Sequence, residues 1–91
     1  MQQINITHKI TEAENLILEL KPLLEIYGTF EYEILLKGKE EPKIFLQMYF
    51  SKKNSWTSII MSVIQKITKR NFFFTLENRE ETTKIALNIF I

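Results

Sequence analysis

His8 is the chain's one histidine, and there is no cysteine. That excludes disulfides, thiolate metal sites and any site needing several histidines. One histidine and scattered serines give no order on which a Ser-His-Asp relay can be argued. The alternation around His8 places it at an inward position of a strand, where a structural role is expected. Glu77, Glu80 and Glu81 gather in "ENREE" at 77–81. A hard cation needs converging oxygens, whereas a solvated turn needs none, and the turn is the expectation. Gly28 and Gly38 stand alone, so no glycine loop cradles a phosphate. "KKNS" at 52–55 precedes a helical pattern, where free N–H groups with Lys52, Lys53 and Ser55 form a candidate anion site. No catalytic, cofactor-binding or metal residue is expected, and the chain reads as non-enzymatic.

The sharper feature is "KRNFFFTLE" at 69–77. A strand sends alternate side chains to opposite faces, so Phe72 and Phe74 share one face and Phe73 points to the other. What covers Phe73 depends on the elements around it.

Residues 3–10, "QINITHKI", alternate with Ile4, Ile6 and Ile10 on one side, which predicts a half-buried strand. "TEAE" at 11–14 has the form of a capping box. A helix follows with Leu16, Leu20, Leu23, Leu24 and Tyr27 at helical spacing, kinked near Leu20–Lys21 by Pro22 and ended by Gly28 in a left-handed cap. "TFEYEILLK" at 29–37 and "KIFLQMYFS" at 43–51 alternate as strands, joined by a polar turn at 38–42. A second helix, 56–70, carries Trp56, Ile60, Val63, Ile64 and Ile67 on one stripe, with Asn54 or Ser55 as N-cap and Asn71 as C-cap. Strand "FFFTLE", a turn at "NREE" and a last strand "TTKIALNIFI" complete the chain.

The order is β-α-β-β-α-β-β. An offset of about 40 residues aligns two halves of similar burial pattern, too few copies for a solenoid. The fold expected is one α+β domain over 1–91, a ferredoxin-like split-βαβ antiparallel sheet with an extra C-terminal strand. Right-handed crossovers put both helices on one face, covering Phe72, Phe74, Leu36, Met48 and Ile85. Leu35, Phe45, Gln47, Tyr49, Phe73, Ala86 and Phe90 fall on the helix-free face, among Asn5, Thr7, Glu31, Lys43 and Lys84. An apolar patch there reads as an interaction surface. The competing reading is that these side chains shield one another as ordinary cross-strand pairs.

The net charge of +1, from 12 basic and 11 acidic residues, gives no long-range pull toward nucleic acid or anionic lipid. No apolar run approaches the ~18 residues of a membrane span, and the start lacks the pattern of a signal peptide. A cytoplasmic protein is expected. The wealth of Ile, Lys, Phe and Asn suits an AT-rich genome. An accessory or inhibitor protein of a phage or mobile element fits that composition.

The leading expectation is a small protein-binding protein, dimerising or receiving another protein through Phe45, Gln47, Tyr49, Phe73 and Phe90. The alternative is a module for single-stranded nucleic acid on the same aromatics. "KIFLQMYF" is similar to the third-strand motif of RNA-recognition domains at Lys43, Phe45 and Phe50. It departs from that motif where glycines should stand, at Ile44 and Leu46, and where Gln47 replaces an aromatic.

Overall fold

The computed structural model describes residues 2–37, 41–70 and 72–91. The elements are α1 (Gln2–Leu24), β1 (Thr29–Lys37), β2 (Glu41–Ser51), α2 (Thr57–Thr68), β3 (Phe72–Asn78) and β4 (Thr82–Phe90). The α+β class stands, with two helices and a four-stranded antiparallel sheet.

The first strand does not form: residues 3–10 belong to α1. Ile10, Ala13, Ile17, Leu20 and Leu24 recur at helical spacing, and Ala13, Ile17, Leu20 and Leu24 are buried. That stripe outweighs three isoleucines in alternation, because burying it satisfies one continuous helix. Thr11 and Glu14 therefore lie mid-helix and form no capping box, and His8 is exposed on α1 rather than inward on a strand. Asn5 and Thr7 likewise leave the sheet. Pro22 is accommodated in the last turn, two residues before the helix ends at Leu24. The donor that it lacks would have served the carbonyl of Leu18, whose side chain faces solvent.

The sheet order is β1-β2-β4-β3, every neighbouring pair antiparallel. This is not the split-βαβ order, which needs a strand where α1 begins. The repeat survives in another form. The chain is αββ followed by αββ, with β2 and β4 side by side at the centre. Phe30 pairs with Met48 as Phe72 pairs with Ile89. The two units are thus related by a pseudo-dyad between β2 and β4. Phe30, Tyr32 and Ile34 correspond to Phe72, Phe74 and Leu76, two residues on from the expected alignment.

Both helices lie on one face, as expected. Ile44, Leu46, Met48 and Phe50 of β2 and Ile85, Leu87 and Ile89 of β4 are buried against Leu16, Ile17, Leu20, Leu24, Ile60 and Ile64. The stripe on α2 is narrower than expected, with Val63 and Ile67 only partly buried. Thr68 is buried too, its hydroxyl donating to the Ile64 carbonyl at 2.8 Å, which removes the cost of an unpaired buried group. Lys69, in left-handed geometry (φ 53°), caps α2, its N–H donating to the Gln65 carbonyl. Asn71, the expected cap, lies outside the described residues.

Gly28 does not adopt left-handed geometry; its constraint is space. A Cβ there would fall on the Tyr49 carbonyl oxygen and lie 3.1 Å from Phe50 Cβ. Glycine lets the loop after α1 approach the β2 backbone.

Candidate binding surfaces on the sheet

The register sorts the helix-free face into rows across the strands. Glu33, Phe45, Asn88 and Phe73 form one row; Leu35, Lys43 and Phe90 form the next. Three of the five expected residues, Phe45, Phe73 and Phe90, thus come together at one end of the face. Phe73 is 74% exposed and meets Phe90 edge-on, ring centroids 6.1 Å apart. Leu35 adds exposed apolar surface beside them. Among the described residues the ring that meets Phe73 is that of Phe90, itself 38% exposed.

Gln47 lies in the next row with Glu31, Ala86 and Thr75. Tyr49 is at the far end, opposite Thr29 and Lys84, with Glu77 across from Lys84. The Lys84 ammonium and the Arg79 guanidinium sit 5.7 Å and 5.8 Å from the Tyr49 ring centroid, within cation–π range. Arg79 is held by Glu77 at 3.3 Å. The five residues do not form one patch. They divide into an apolar end and a cation-flanked tyrosine. Neither Lys84 nor Arg79 could be assigned to Tyr49 until the hairpin register was known.

The opposite face holds a correction. Phe74 and Leu36 were expected beneath the helices, but Phe74 is 50% exposed, Leu76 42%, and Leu36 also faces solvent. Two helices suffice to cover the two central strands. α1 lies against β1 and β2, and α2 lies against α1, while neither packs closely on β3. Thus β3 is an edge strand with exposed apolar side chains on both faces.

The three candidate anion residues line no single hollow together. Trp56, not Asn54 or Ser55, is the N-cap of α2 and makes no side-chain capping bond. Ser51 to Asn54 form a turn in which the Asn54 N–H donates to the Ser51 carbonyl and the Lys53 N–H to Ser51 Oγ. Lys52 and Ser55 line a hollow of about 330 Å³ with Asn54, Thr57 and Ser58; Lys53 lies outside it. A second hollow, of about 820 Å³, opens between Tyr27, Gly28, Tyr49, Trp56 and Glu81 and is lined by both Lys52 and Lys53, but not by Ser55. Trp56 packs edge-on to Tyr27 at 5.3 Å and against Phe50 at 6.3 Å, joining both helix ends to β2. Among the described residues no group of His, Asp and Glu could hold a metal ion. No described helix is long and apolar enough to cross a membrane.

Comparison with protein-family models, with curated proteins and with solved structures returns no match.

Proposed function

We propose that this chain is a small non-enzymatic protein-binding protein, an accessory or inhibitor, that receives another protein on the helix-free face. The exposure of Phe73 beside Phe90, with Phe45 on the next strand and Leu35 beyond it on β1, carries the reading. Rigid aromatics on a sheet lose little conformational entropy on binding, and such residues supply most of the energy of an interface. Phe45, Phe73 and Phe90 are its apolar anchors; Gln47 and Tyr49 form its polar side. A cytoplasmic setting and a phage or mobile-element origin suit the composition.

One observation favours a second reading. Tyr49 between Arg79 and Lys84 offers a base a stacking ring with cations for its phosphates. Glu31, Glu33 and Glu77 on the same face oppose it. The test uses immobilised wild type and Phe45→Ser/Phe90→Ser, both verified as folded. A protein retained by the first and lost by the second supports the leading reading. Salt-sensitive binding of labelled oligo(U), lost in Tyr49→Ala, would replace it with the nucleic-acid reading.

A further inference from the structure

The outer edge of β3 presents unpaired backbone groups as well as exposed rings. The Arg79 N–H donates to the Thr82 carbonyl at 2.8 Å. Antiparallel ladders alternate bonded and non-bonded pairs. Phe73, Thr75 and Glu77 therefore turn their backbone groups toward β4. Phe72, Phe74, Leu76 and Asn78 turn theirs to the open edge. An apolar edge of this kind is a template for another strand.

We propose that the occupant is a second copy of this chain, its β3 pairing antiparallel with the first across a two-fold axis at Thr75. This extends the proposed function to a different surface, the strand edge. Three features select a second copy. The register sets Phe74 opposite Leu76 of the other copy, so the two residues with outward N–H and C=O groups exchange both bonds. It joins Phe74 and Leu76 of both copies into one apolar cluster on the helix side. It also turns the basic end of α2 in one copy, Lys69 and Arg70, toward the acidic hairpin of the other, Glu80 and Glu81. Arg70 keeps its ion pair with Glu12 at 2.7 Å, so it adds to the charge of that end without a direct bond across the seam. Phe73 lies opposite the methylene stem of Glu77. Strand, cluster and charge are self-complementary about one axis, as a two-fold interface requires. Two four-stranded sheets become one of eight. A seam one strand long falls at the small end of interface sizes, so the dimer is weak and depends on concentration.

Sedimentation equilibrium from micromolar to millimolar concentration tests this. The wild-type mass should rise from 10.9 kDa toward twice that value. Leu76→Pro removes an outward N–H rather than one bonded to β4, a position where an edge strand tolerates proline, and Leu76→Lys places a charge on the seam. Both should remain monomeric with the wild-type circular dichroism; if the proline variant unfolds, the lysine variant decides. Glu80→Lys/Glu81→Lys should weaken association at least tenfold. A wild type that is monomeric at every concentration overturns the proposal. A dimer unaffected by the Leu76 variants also overturns it. Phe45→Ser/Phe90→Ser separates the two surfaces. A dimer that survives this pair belongs to the edge. One that is lost with it, but not with the Leu76 variants, belongs to the face and overturns the edge proposal.

Discussion

The two outer strands occupy equivalent places about the pseudo-dyad and are built to opposite ends. On the helix-free side, Glu31, Glu33 and Leu35 of β1 stand where β3 has Phe73, Thr75 and Glu77. The equivalent antiparallel pairing of β1 with itself, about Glu33, would set Glu33 against Glu33 of the other copy, and opposed like charges destabilise a sheet. Helix α1 also lies against β1, whereas neither helix packs closely on β3. One fold position can thus be closed by charge and a covering helix, or left open. Side-chain choice on a few outward positions decides which.

The core beneath both edges should show the largest effect. Leu87 is fully buried on β4 between the two halves. Leu87→Ala should cost about 2–5 kcal/mol, a large share of the ~5–15 kcal/mol available to a small domain. Thermal and urea melts would read it, and both edges should be lost together. Gly28→Val comes next, because its Cβ would meet backbone rather than a side chain that can move. A loss of about 3 kcal/mol is expected, the upper part of the range for overpacking, and a change below ~0.5 kcal/mol would mean that the β1 end is looser than its geometry.

Phe74→Ala sharpens the contrast between centre and edge. Half of the ring is already in water, so the isolated fold should lose only ~1–1.5 kcal/mol, about half of a full burial, measured at dilution where no dimer forms. A loss near that of Leu87→Ala would mean that a helix does cover β3. The smallest change in stability is expected from Glu31→Phe/Glu33→Thr, which writes the β3 pattern onto β1. Its melt should move by no more than ~0.5 kcal/mol, yet it should raise the mass above that of a dimer by opening a second edge. No gain in mass would show that α1, rather than charge, protects β1.

Much of this was legible in the chain. The alternation in 29–37, 43–51 and 82–91 gave strands with the right faces, since a period of two admits no helix there. Phe45, Phe73 and Phe90 were placed on one face from parity alone. Parity could not show that Tyr49 lies at the other end, because rows across a sheet depend on register. At 3–10 three isoleucines satisfied a strand locally, although the spacing of Ile10, Ala13, Ile17, Leu20 and Leu24 extends the helical stripe back past Thr11. A strand at 3–10 would make a split-βαβ unit of what is an αββ repeat. The exposure of Phe74 was not legible, because inward parity says which face a residue takes and not whether a helix reaches that strand.

Residue-resolved hydrogen exchange of the wild type at low and high protein concentration tests the open β3 edge most directly. At low concentration the amides of Phe74 and Leu76 should exchange rapidly while that of Thr75, turned to β4, is protected. At high concentration Phe74 and Leu76 should become protected, with no matching change along β1. Protection of Phe74 and Leu76 that is already complete at low concentration, or absent at high concentration, would contradict an edge that opens in the monomer and closes on a second copy.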